Sequence, residues 1–155
     1  MKENQNLFDT NLWSGGEYDN SLTNIQCNQD NQKCTISNDY SSNGETSFKL
    51  SRGGGNSYNW TRFRVPYTET GKTMTSKLKI YNPNATADIW LCDMNGSTEG
   101  GHSGASVRVY PSNQIQEIVL TYTGALSTVT HYAIRVNMLY DDTWLFIDDL
   151  SLTSI

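Results

Sequence analysis

The segment Asn59-Trp60-Thr61-Arg62-Phe63-Arg64-Val65 sets an indole and two guanidinium groups at every second position. In an extended chain this spacing puts Trp60, Arg62 and Arg64 on one face and Phe63 and Val65 on the other. A flat apolar ring beside planar hydrogen-bond donors is what the C–H face and hydroxyls of a pyranose require. An indole whose alternation partners are two arginines does not suit a core, so Trp60 reads as a ligand platform with Arg62 and Arg64 as its donors. Neighbouring strands can add Tyr81, Tyr110, Arg135 and Asn137 to the same surface. Trp90 and Trp144 read instead as core residues.

Signals for bond-breaking chemistry fail. Gly71-Lys72-Thr73 has the ending of a phosphate-binding loop, but the required glycine five positions earlier is Pro66. Arg52-Gly53-Gly54-Gly55 is a glycine-rich turn with no helix after it to cradle a phosphate. His102 and His131 are isolated and have no recognisable nucleophile partner. A glycosidase needs two carboxylates facing each other across a cleft, and nothing singles out such a pair among the 16 acids.

Composition narrows the class further. The 155 residues suffice for one domain with one core. Charged residues are only 17% of the chain, whereas Asn, Ser and Thr number 49, so neutral hydrogen-bonding groups carry its polarity. A formal net charge of -5 gives no basic field for a phosphate backbone, which argues against nucleic acid as a partner. No apolar run approaches the roughly 20 residues of a membrane helix, so no membrane partner is expected. Cys27 and Cys34 flank six polar residues and can either close a loop as a disulfide or stand as separate thiols. A bridge over so short a loop would contribute about 2.5 kcal/mol. Cys92 lies in an apolar strand pattern and reads as a small core residue.

The elements that must position these groups are strands. Period-two alternation, broken about every ten residues by Gly, Asn, Pro or Ser, predicts strands over 45–52, 59–65, 73–82, 87–94, 105–110, 114–123, 130–140 and 143–153. No stretch carries a helical apolar stripe. In the third of these strands Met74, Leu78 and Ile80 face the core, and Lys77, Lys79 and Tyr81 face out. Residues 11–43 read as long loops with one or two short strands. The expectation is one all-β domain over 1–155, an antiparallel sandwich or jelly roll of about eight to ten strands.

The run Trp144-Leu-Phe-Ile-Asp-Asp-Leu-Ser-Leu152 resembles the closing strand of the jelly-roll carbohydrate-binding modules of families 4, 9, 16 and 22, which have a galactose-binding-like fold. In the family's order, Thr46-Ser-Phe-Lys-Leu50 resembles its Ser-Leu-Lys-Val strand, Gly71-Lys72-Thr73 its Pro-Gly-Lys-Thr-Tyr turn, and Asn6-Leu7-Phe8 its first strand. Asp9-Thr-Asn-Leu-Trp13 departs from the pattern, being compressed and lacking the family's Phe-Glu pair. The resemblance also places Trp60 where some members carry a binding-face tryptophan. It implies a structural calcium at Asp148, with Asp9 and Glu45 the acids best placed to complete a shell of six to eight oxygens.

These readings lead to a non-catalytic module that binds a polysaccharide or glycan, extracellular or at a cell or virion surface, within a larger secreted enzyme, adhesin or phage appendage. Met1 followed directly by a polar segment suits an excised domain or a viral structural part. If Arg62, Arg64, Lys77, Lys79 and Arg108 share one sheet face, an acidic polysaccharide becomes a plausible ligand. The alternative is a structural or assembly jelly roll of a virion fibre or surface protein, without sugar binding.

Overall fold

A computed structural model describes residues 7, 25–27, 32–40, 47–54, 60–101 and 105–154. Eleven strands and no helix occur among them. The strands are β1 (Ile25–Cys27), β2 (Gln32–Ser37), β3 (Ser47–Arg52), β4 (Trp60–Pro66), β5 (Thr73–Tyr81), β6 (Ala87–Asn95), β7 (Thr98–Glu99), β8 (Ser106–Val109), β9 (Gln116–Thr123), β10 (His131–Met138) and β11 (Thr143–Ser154). One sheet runs β1-β4-β10-β6, with β7 and β8 both paired to β6; the other runs β2-β3-β11-β5-β9. Every pairing is antiparallel. The expected sandwich is therefore present, with slightly more strands than expected. The two-residue β7 is the unforeseen one.

Alternation builds the core. Phe63, Ile134, Ile89 and Leu91 from one sheet and Leu50, Leu78, Ile80 and Ile147 from the other are essentially inaccessible and belong to one apolar cluster. Each such side chain contributes about 1.5–3 kcal/mol by leaving water. Polar ties close the sandwich at one end. The buried Gln32 of β2 crosses to the other sheet, donating from Nε2 to Thr61 Oγ1 (2.8 Å) and the Val136 carbonyl (3.0 Å) and accepting from the Met138 N–H (3.2 Å). Its register partner Arg52 donates to the Met138 carbonyl (2.6 Å) and pairs with Asp141 (3.2 Å). Cys27 and Cys34 are both buried thiols, and burial raises the pKa of each.

At the opposite end of β10, Asp93 has the parity of the inward row of β6 and is wholly buried. Its carboxylate accepts from Tyr122 Oη (3.0 Å) and from the N–H groups of Ala125 (2.9 Å) and Leu126 (2.8 Å), clasping the β9–β10 loop to the sheet. Gly100 passes so close that a Cβ there would lie 2.1 Å from Asp93 Oδ1, so the clasp also requires a bare backbone at that position. Asp93→Ala leaves these donors buried without an acceptor and is expected to cost about 3 kcal/mol. Urea unfolding tests this; a midpoint within error of wild type would show that the clasp is dispensable.

Two orientation expectations need correction. Trp90 and Trp144 are not core residues: with Ile89, Leu91 and Leu145 inward, both indoles point outward, and Trp144 is 40% exposed. Lys77 and Lys79 lie on β5, in the sheet opposite Arg62, Arg64 and Arg108, so the five cations share no face.

Candidate functional site

The outer face of the β1-β4-β10-β6-β8 sheet is organised in cross-strand rows. Trp60, Asn137, Asp88 and Arg108 are consecutive partners in one row. Gln26, Arg62, Arg135, Trp90 and Ser106 form the next. Pairing thus gathers two indoles, three guanidinium groups and several amide or carboxylate groups from strands far apart in the chain.

Within the rows, cations stack on rings. The Arg62 guanidinium lies 4.1 Å from the Trp60 ring centroid, and Arg135 lies 5.6 Å from Trp60 and 4.7 Å from Trp90. Contacts of this kind contribute about 0.5–2 kcal/mol and hold the rings in one orientation. Glu99 lies over both arginines, pairing with Arg62 Nε at 3.0 Å and Arg135 Nη1 at 2.5 Å. Arg135 Nε also donates to Asn137 Oδ1 (2.9 Å). At the sheet edge Arg108 grips Asp88 with two hydrogen bonds, 2.7 and 3.0 Å, which raise the arginine pKa. Beneath Trp90, Cys92, Met94 and Ala133 form a small apolar cluster. Burial there pushes the Cys92 thiol far above its ordinary pKa, which leaves it a packing residue.

The sequence-predicted residues divide accordingly. Trp60, Arg62, Arg64 and Asn137 share the face, although Arg62 and Arg64 are each only 9% exposed. Burial, then the neighbouring Arg62 charge, lowers the Arg64 pKa. Tyr110 follows Arg108 at the edge and is 58% exposed. Tyr81 belongs to the other sheet, where it stacks on Tyr40 (4.7 Å) beside Phe146. The error was one of sheet assignment: alternation assigns a side of a strand, not the sheet to which the strand belongs.

Sequence reasoning missed Glu99 and the outward Trp90. Glu99 is delivered by a hairpin whose two turn residues, Gly96 (φ 60°) and Ser97, carry a legible turn signal. Trp90 was obscured because Leu91, Cys92, Asp93 and Met94 are all buried, which blurs the alternation. Of the metal candidates, Asp9 and Glu45 lie outside the described residues. Asp148 is buried on β11, where its Oδ1 accepts from the Asp149 N–H (2.9 Å) beside a bulge in the β11–β5 pairing.

Glu99 is the only anion the described structure pairs with Arg62 and Arg135. Glu99→Gln therefore leaves two largely buried cations undercompensated and is expected to cost about 2 kcal/mol. Chemical denaturation measures this, and an unchanged midpoint would mean that solvent already screens the cluster.

No family sequence model matches the chain, and no curated protein matches it by sequence. Solved structures do match by shape. An arabinose-bound MgGH51 α-L-arabinofuranosidase superposes with a TM-score of 0.74 at 12% identity over 98% of this chain, which spans 27% of that enzyme's chain. The C-terminal family 22 carbohydrate-binding module of Clostridium thermocellum Xyn10B gives a TM-score of 0.65 at 15% identity, covering 94% of this chain and 95% of that one. A family 4 carbohydrate-binding module gives 0.62 at 13% identity, covering 95% and 99%. At such identities the likeness is one of fold: this chain has the jelly-roll architecture of the family 22 and family 4 carbohydrate-binding modules.

Proposed function

We propose that this chain is a non-catalytic carbohydrate-binding module that receives a neutral polysaccharide on the outer face carrying Trp60. The row Trp60-Asn137-Asp88-Arg108 carries this reading, since it sets an aromatic ring beside planar hydrogen-bonding groups along one line across the sheet. Rings held by stacked guanidinium groups lose little freedom on binding, which lowers the entropic cost of a shallow site. Neutral sugar suits the face better than acidic sugar. Glu99 engages Arg62 and Arg135, Asp88 engages Arg108, and Lys77 and Lys79 stand on the other sheet. Xylan is the first polysaccharide to offer, because similarly folded modules are described as xylan-binding domains.

The module would work within a larger extracellular or surface protein. In support, two of the matching chains are much longer than this one, which spans 27% of the arabinofuranosidase and 26% of a xylanase chain containing a family 22 module. In native affinity electrophoresis, wild type should be retarded by xylan or another neutral polysaccharide of a panel. Trp60→Ala should weaken that retardation at least threefold with little change in Tm; migration equal to wild type would remove Trp60 from the site.

A structural calcium belongs to the same reading. The Leu7 N–H donates to the Leu152 carbonyl (2.8 Å), so Leu7, two residues before Asp9 in the chain, meets the closing strand that carries Asp148, which supports the reading. Asp148 fits as one ligand, whereas no three His, Cys, Asp or Glu residues gather among the described residues. The remaining oxygens would come from Asp9 and Glu45, supplemented by backbone carbonyls and water. A calcium bound only to the folded form, at a free concentration 100 times its Kd, adds about 2.7 kcal/mol. Chelation should accordingly lower the Tm of wild type and leave Asp148→Ala unmoved; identical melting of wild type with and without chelator would eliminate the metal.

A further inference from the structure

We propose a second saccharide site on the opposite sheet, in the cavity of about 430 Å³ beside Trp144. Strand register builds it. Trp144 of β11 is paired with Ser51 of β3, and Ser51 with Lys33 of β2, so a small side chain lies between two large ones and leaves a trough. The β10–β11 turn closes one end: Asp142, with φ 56°, donates its N–H to the Arg52 carbonyl (2.8 Å). Gly53 lines the trough where it opens to free space, a Cβ there having no neighbour within 4 Å. The Trp144 backbone N–H donates to Asn84 Oδ1 (2.9 Å), which fixes the strand that carries the indole.

The two faces differ in what their polar groups are doing. Around Trp60 and Trp90 the guanidinium groups stack on the rings and are engaged by Glu99 and Asn137. Around Trp144, neither the Lys33 ammonium nor the Asp142 carboxylate forms a salt bridge with the described residues. Lys49 lies 6.0 Å from the Trp144 centroid, toward the outer limit of such contacts, and the ring remains 40% exposed. An open indole flanked by the Lys33 ammonium, the Asp142 carboxylate and the Ser51 hydroxyl matches the C–H face and hydroxyls of a neutral sugar. An anionic ligand would meet Asp142, and Arg52 is already committed to Met138 and Asp141. The volume is at the low end for ligand pockets, which favours a terminal or branching mono- or disaccharide unit over the interior of a long chain. The site shares only its ligand class with the Trp60 face.

Indole N–H resonances of the four tryptophans, assigned by single Trp→Phe variants, are followed by NMR during titration with xylohexaose, cellohexaose and an arabino-oligosaccharide. The Trp144 resonance should move with at least one sugar, and should still move in Trp60→Ala. Lys33→Ala and Asp142→Gly, both at surface positions and the second at a positive φ that glycine accepts, should weaken that titration at least fivefold without lowering Tm. If the Trp144 resonance stays still with all three sugars, or moves only when Trp60 is intact, the second site is wrong. Movement at Trp144 with silence at Trp60 and Trp90 would uphold this site and overturn the first.

Discussion

Burial of the inward rows of β4, β10 and β6 against those of β3, β11 and β5 is the constraint that governs everything outside the core. Side chains alternate along a strand, so each apolar residue committed inward commits its neighbours outward. Phe63 and Val65 inward leave Trp60, Arg62 and Arg64 no other side; Ile134 and Val136 do the same for Arg135 and Asn137. A one-residue slip of β10 would bury Arg135 between the sheets and expose Ile134. The core therefore fixes the register, and the register fixes which outward groups are neighbours.

The two outer faces that result are chemically unlike. On one, arginine and tryptophan alternate in space and Glu99 joins two of the arginines, so the surface is already organised before any ligand arrives. On the other, Tyr40, Tyr81 and Phe146 stack together, and Trp144 stands nearer the β10–β11 turn beside a trough over Ser51. The first face offers preorganisation and the second offers open ring surface. Were both faces to bind sugar, as proposed, linked weak contacts would raise retention well beyond either alone.

Buried polar groups do the work of joining parts that apolar packing cannot orient. Gln32 and Arg52, adjacent across β2 and β3, both bind the end of β10 in the other sheet. Asp93 holds the loop at the other end of β10 through two backbone N–H groups and a tyrosine. Both ends of the strand that carries Arg135 and Asn137 are therefore tied by directional bonds, and the rows above them inherit that rigidity.

The fold was legible because alternation is a local property: the strands from Ser47 onward, except β7, and the outward set Trp60, Arg62 and Arg64 follow from the order of residues alone. The short match to a family closing strand also led to the right architecture. What remained hidden depends on which strands pair. Tyr81 has the outward parity that was expected and yet stands on the other sheet, because β5 pairs with β11 and β9 and not with β4. Lys77 and Lys79 separate from the arginines for the same reason. Glu99 reaches Arg62 across 37 residues, and Trp90 becomes a neighbour of Arg135 only when β6 and β10 align. The sequence by itself determined the side of each strand on which a group stands, since that needs only the two-residue period. Only the tertiary structure decided its neighbours, since strand partners are chosen by burial summed over the whole sandwich.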